Sequence, residues 1–202
     1  TCTLTVQAVA LLSVGEVQGQ TRDDEDGATD RSPLAPASGN GTSSALVDVR
    51  GVITQMSLTR SSAGADQHGF YLQSRKGTED GDPLTSDGIF VFMGSFTTLI
   101  GGYAPTVGDE VVLRARVSEY FDQTQLSSAS LVRKLASGLQ VDSAVQVDDA
   151  VPPADAAAAA RYWERHEGAR MRVRSGSGVS APRHIYASTA DSEIYVVDRE
   201  DP

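Results

Sequence analysis

The sequence predicts a mainly β chain: one small closed barrel of five strands, an added helix, and a short C-terminal β block. Three observations carry that expectation. Between residues 45 and 135, apolar and polar side chains alternate with the period of strands that bury one face. Gly51 falls on the inward row of the first of these strands, where a glycine marks the bulge or bend that lets a small sheet curl shut. Residues 154–167 form the one stretch with the propensity and ends of a helix: an alanine run, Asp155 in the first turn, and Gly168 after it.

Residues 4–18 read as extended. Residues 20–44 are rich in Asp, Gly, Ser, Pro and Thr, and hold the acidic run Asp23-Asp24-Glu25-Asp26. Such a segment cannot bury enough apolar surface to offset its ordering entropy, so a mobile surface loop is expected. In residues 46–53, Val47, Val49 and Ile53 share one face, with Asp48, Arg50 and Thr54 on the other side of the pleat. Residues 69–74 are the second strand, and a polar turn region follows at 75–87. Residues 88–93 are the third, apolar on both faces. Residues 96–103 read as the connection onward. In residues 111–117, Leu113, Ala115 and Val117 alternate with Val112, Arg114 and Arg116, which puts both arginines on one outward side. A connector at 119–125 leads to the fifth strand, 126–135. Five strands with a break after the third match the OB-type Greek-key barrel.

After the barrel, residues 137–153 read as extended. Beyond the helix, residues 170–174 and 193–198 read as strands around a Gly/Ser-rich loop at 175–180. The expected units are an N-terminal strand and loop (1–44), the barrel (45–150), and a helix plus β block (151–202). That last block either packs on the barrel or belongs to a second domain cut short.

Composition narrows the function classes. The formal net charge is -10, which opposes general coating of polyanions. A local basic groove remains compatible with it, because screening confines each charge to about 10 Å. Cys2 is the single cysteine, so no intrachain disulfide or zinc pattern is available. No apolar run reaches membrane-spanning length, and no membrane association is expected. There is no nucleophile elbow, Walker loop or dinucleotide fingerprint, and the three histidines (His68, His166 and His184) form no recognisable triad pattern.

OB barrels bind nucleic acid on a strand face by stacking bases on aromatics within a basic groove. The residues of those types on the outward rows and turns are Arg50, Tyr71, Gln73, Arg75, Lys76, Arg114, Arg116 and Tyr120. Each has a plainer role open to it. Tyr71 packs against the helix, Arg114 and Arg116 pair with carboxylates, and Arg75 and Lys76 keep a turn solvated. The loop 79–87 offers Asp80, Asp82 and Asp87 as oxygen ligands for a hard cation such as calcium. Its spacing is not that of an EF-hand, and the same residues are good turn formers.

Several short motifs recur in a fixed order. They begin with Val14-Gly15-Glu16-Val17-Gln18-Gly19, Ser32-Pro33-Leu34 and Val49-Arg50-Gly51-Val52-Ile53-Thr54. Gly69-Phe70-Tyr71-Leu72-Gln73, Asp80-Gly81-Asp82-Pro83 and Thr85-Ser86-Asp87-Gly88-Ile89-Phe90-Val91 follow. Val107-Gly108-Asp109, Val117-Ser118-Glu119-Tyr120-Phe121 and Thr124-Gln125 close the series. Together they resemble the region upstream of the catalytic domain in bacterial extracellular nucleases of the endonuclease/exonuclease/phosphatase superfamily. The resemblance implies an OB-type fold, secretion, and a downstream nuclease domain in the same polypeptide that cleaves phosphodiesters with a divalent metal. The Asn, Asp and His residues of that catalytic half have no counterpart here, so no catalytic residue carries over.

The expected function is therefore a noncatalytic module that helps bind or guide single-stranded or duplex DNA. That reading predicts Tyr71, Arg114 and Arg116 on one surface. A structural adapter instead predicts arginines neutralised by acids and a strand face covered by the helix. A polysaccharide-binding module predicts a shallow cleft lined with exposed aromatics.

Overall fold

The structure is a computed structural model that describes residues 9–21, 31–61 and 63–174, together with the backbone of four short strands beyond them. At its centre lies a sheet of five long strands: β3 (Val47–Arg60), β4 (Asp66–Gln73), β5 (Gly88–Gly94), β6 (Glu110–Tyr120) and β7 (Gln123–Ala136). They run in the order β3-β4-β5-β7-β6, and β6 pairs back onto β3. Only the β5–β7 pairing among these is parallel. Closure is the work of β3, whose segment Val47–Val52 pairs with β6 while Val52–Arg60 pairs with β4. The register slips between Ile53 and Gln55, and Gly51 stands just before this hand-over, where the sequence placed a bend. Inside, Val49, Ile53, Phe70, Leu72, Ile89, Val91, Leu113, Val117 and Leu126 are all fully buried in one apolar cluster. The alternation in β6 comes out as expected: Leu113, Ala115 and Val117 point in, and Arg114 and Arg116 point out.

Residues 14–18, expected to be extended, form a short helix instead, α1 (Val14–Gln18). Ser13 Oγ accepts the Glu16 amide at 3.1 Å, and the Glu16 carboxylate accepts the Ser13 amide at 2.7 Å. This reciprocal capping box overrides the weak strand signal of two valines. Their spacing of three puts Val14 and Val17 together in the barrel core. Ahead of the helix, β1 (Leu11–Leu12) pairs parallel to β3.

The expected connector at 119–125 is a tight hairpin: only Phe121 and Asp122 separate β6 from β7. Both have positive φ, 49° and 63°, the signature of the turn that matches strand twist. Residues 31–44 are tied down rather than free. The Ser32 amide donates to Glu119 at 2.9 Å, its hydroxyl donates to the Val17 carbonyl, and β2 (Gly41–Thr42) pairs with β6. The acidic run at 23–26 and Cys2 lie outside the described residues.

Beyond the barrel come a single helical turn, α2 (Val141–Ala144), a short strand, β8 (Asp148–Asp149), and the expected helix, α3 (Ala156–Glu164). Asp155 caps that helix by accepting the Ala158 amide at 2.9 Å. β9 (Met171–Arg172) pairs parallel to β8. The glycines of the expected 175–180 loop form a strand, β10 (Gly176–Gly178), because β13 (Val196–Asp198) supplies a partner. The expected strand at 193–198 is divided: β11 (Arg183–His184) pairs with β12 (Ser192–Glu193), separately from β13.

The segment after α3 is locked to the barrel by side chains from β4 and the turn before β5. Gln73 accepts the Arg170 amide at 3.0 Å and donates to the Gln146 carbonyl at 2.7 Å. The Ser86 hydroxyl donates to the Glu167 carbonyl at 2.7 Å.

Candidate nucleic-acid interface

The outward face of β4 and β5 carries aromatic rings because β5 is apolar on both sides. Ile89, Val91 and Met93 fill the barrel, which leaves Phe90 and Phe92 on the surface row. Phe90 lies over Gly69, in the space a side chain at residue 69 would need. It meets Tyr71 with ring centroids 5.2 Å apart. A cleft of about 550 Å3 runs over these rings. The β3–β4 hairpin lines it with Thr59, Arg60 and His68, and the β6–β7 hairpin with Tyr120, Gln123 and Gln125. Tyr120 is 55% exposed and stands edge-on to Phe121 at 4.7 Å.

The lining is nearly neutral. Arg60 is its one Lys or Arg among the described residues, and it bonds Asp66 at 3.2 Å, with both side chains about half exposed. Burial, with Glu167 nearby, pushes the Tyr71 hydroxyl above its ordinary pKa, so it remains a hydrogen-bond donor. What the cleft offers a ligand is flat apolar rings with amide and hydroxyl groups at their edges. That surface suits stacked rings better than a chain of bare anions.

Phe121, beside Tyr120 in the hairpin turn, carries backbone strain. A bulky residue at positive φ costs about 1–3 kcal/mol and clusters at functional sites. Its ring is 74% exposed, so the strain is not offset by core packing. Phe121→Gly is therefore expected to stabilise the fold by about 1 kcal/mol, read as a higher denaturation midpoint. Lower stability would show that the ring packs against the hairpin after all.

Of the eight residues expected from sequence, only Tyr71 and Tyr120 line the cleft. Arg50 donates to Glu110 Oε1 at 2.5 and 2.8 Å, and Arg75 donates to Oε2 of the same fully buried carboxylate at 2.6 Å. Arg114 grips Asp48 with two bonds of 2.7 Å. Arg116 donates to the carbonyls of Ser43 and Ser44. Gln73 is buried in the C-terminal lock, and Lys76 is exposed on a turn whose amide bonds Ala144. Tyr71 and Arg114 flank β3 opposite Gln55 and Asp48, which is roughly 20 Å along the strand. The structure thus does not bring Tyr71, Arg114 and Arg116 onto one surface. Neither does helix α3 line the cleft; the segment beside Tyr71 is Gly168–Met171, just beyond it.

The acids of loop 79–87 organise their own turn. Asp80 accepts the Thr85 hydroxyl at 2.9 Å and the Asp82 amide at 3.0 Å. Asp82 accepts the Gln20 side chain at 2.5 Å and the Leu84 amide at 2.9 Å, and these bonds draw its carboxyl below the usual range. Asp87 is pushed the other way by burial and by Asp80, Glu79 and Asp148. Among the described residues, no group of three His, Cys, Asp or Glu is placed to hold a metal ion.

Phe90, Phe92, His68 and Arg60 were not anticipated as site residues. The signal was present in the strand that is apolar on both faces. In a closed barrel only one face is buried, so its second apolar row must lie on the surface. Comparison with family models, with curated proteins and with solved structures finds no match to this chain.

Proposed function

We propose that the barrel is an OB-type Greek-key module that binds single-stranded nucleic acid in the aromatic cleft. On this reading it is a noncatalytic part of a secreted nuclease and presents the strand to a metal-dependent catalytic domain of the same polypeptide. In OB barrels the second and third strands and the loops after the first and fourth form the ligand face. Here those elements are β4, β5 and the two hairpins that line the cleft. The observation that carries the reading is the row Tyr71, Phe90, Phe92 and Tyr120 across that face. Stacking on such rings is worth about 1–3 kcal/mol per base. Bases must be unpaired to stack there, which favours single strands over duplex.

Fluorescence anisotropy with labelled oligo(dT) tests this. Tyr71→Ala and Phe90→Ala are each expected to weaken binding by about 5- to 150-fold. With Arg60 the one Lys or Arg of the cleft among the described residues, the logarithmic salt slope should stay near 0.7, the value for about one phosphate contact on a single strand. Undetectable binding at low salt, or full affinity in both variants, sinks the proposal.

The scarcity of cations favours a second reading, an oligosaccharide stacked on the same rings. It predicts binding of neutral glycans with no salt dependence. The paired arginines agree with a structural adapter, but the open strand face does not.

A further inference from the structure

We infer that the bound strand does not end in the cleft but continues over Phe92 and Tyr120 into a second groove, where further bases of the same strand lie against Phe96 and Ile100. This rests on the nucleic-acid reading above. β5 and β7 pair only at Phe90–Gln125 and Val91–Leu126, then part. The chain after β5 folds back beside β7, with the Ile100 amide donating to the Ala129 carbonyl at 3.0 Å. Between them opens a groove of about 860 Å3. It shares Phe92, Tyr120 and Gln125 with the cleft, so the two spaces meet along one ridge of rings.

The chemistry of the groove fits bases rather than phosphates. No Lys or Arg lines it among the described residues. Its one charged residue among the described ones, Glu119, is buried, with one carboxylate oxygen accepting from Ser32 and Thr124. Phe96 is 70% exposed and Ile100 64%, an apolar surface that no described residue covers. Asn40, Ser127 and Ser128 supply polar groups at the margin. A base laid there covers the apolar wall and leaves its phosphate in water. Each space has the size of a pocket for one drug-sized ligand, about 300–1,000 Å3. Only together do they approach the ~4–16 nucleotides that OB folds occupy.

A length series separates this inference from the reading it rests on. Affinity is measured for a very short oligo(dT), about two or three nucleotides, and for one of about eight, on wild type, Tyr71→Ala and Phe96→Ala. The exposed Phe96 ring can be removed without opening the core. The longer strand should bind at least about tenfold tighter than the short one. Phe96→Ala should lose about fivefold or more of the affinity for the longer strand. It should leave the short strand unchanged, whereas Tyr71→Ala weakens both. If Phe96→Ala binds the longer strand as wild type does while Tyr71→Ala still weakens it, the strand is confined to the cleft and the second groove is refuted. If neither oligomer binds wild type, both this inference and the proposed function fall.

Discussion

Gly88→Ala is expected to cost on the order of 3 kcal/mol and to release the C-terminal segment while leaving the barrel folded. Gly88 opens β5 and lies directly against the backbone of Gly168 and Ala169, where a Cβ has no room. Its neighbours in that contact are main-chain atoms, which cannot turn aside as a flexible side chain would. Overpacking of a well-filled site costs about 1–3 kcal/mol, and rigid surroundings put this site at the upper end. The locks from Gln73 to Arg170 and from Ser86 to Glu167 sit beside the same contact and should open with it. Hydrogen exchange gives the readout. The Arg170 amide should lose protection, while amides paired between β6 and β7 keep theirs. An unchanged denaturation midpoint with Arg170 still protected would mean that this segment is not seated as described.

The second large effect is a loss of stability with rising pH, traced to Glu167. Burial pushes its carboxyl up to about 8; Glu164 and then Glu119 add repulsion, and the Thr124 amide and Gln18 side chain only partly oppose them. The folded state therefore holds a proton that the unfolded chain releases near its ordinary value of 4.5. The stability associated with that proton is fully present below about 4.5 and falls as pH rises towards about 8, levelling off above it. The full effect is at most about 5 kcal/mol, the rise from 4.5 to about 8 taken at about 1.4 kcal/mol per pKa unit. Glu167→Gln, which keeps the shape without the charge, should flatten that part of the profile and gain most over wild type at alkaline pH. Urea melts of both proteins at mildly acidic, neutral and alkaline pH measure the difference. Parallel profiles for the two proteins would contradict the assignment.

The barrel was legible because its signal is repeated. Val47, Val49 and Ile53, then Leu113, Ala115 and Val117, keep a period of two long enough to fix which face is buried, and Gly51 marks the bend. The short elements were not legible. Val14–Gln18 has too few residues for periodicity to distinguish helix from strand, so the capping pair Ser13 and Glu16 decides. Phe121-Asp122 contains none of the glycine that usually announces a two-residue hairpin turn. Gly176–Gly178 becomes a strand only through a partner some twenty residues away. Local composition carries no trace of that partner.

The site was legible in part, for a related reason. Tyr71 and Tyr120, which chemistry and position on outward rows single out, do line the cleft. The arginines met the same criteria, but whether a surface cation is free depends on what stands across the sheet. Asp48 faces Arg114 across the β3–β6 ladder. Glu110 lies within reach of Arg50 and Arg75, which are distant from it and from each other in sequence. In a chain with so many carboxylates, most outward arginines find one. Phe90 and Phe92 are hard to read from sequence because an apolar strand suggests core on both sides, and only closure of the sheet exposes one row.

Photo-crosslinking tests directly whether a strand stacks on the face between the two hairpins. A single-stranded oligonucleotide carrying 5-iodouracil is irradiated with the protein, and the adducts are mapped by peptide mass spectrometry. Adducts are expected on Tyr71, Phe90, Phe92 or Tyr120. Adducts confined to the Arg50–Arg114 side of the barrel, or none under conditions where the strand binds, would contradict it.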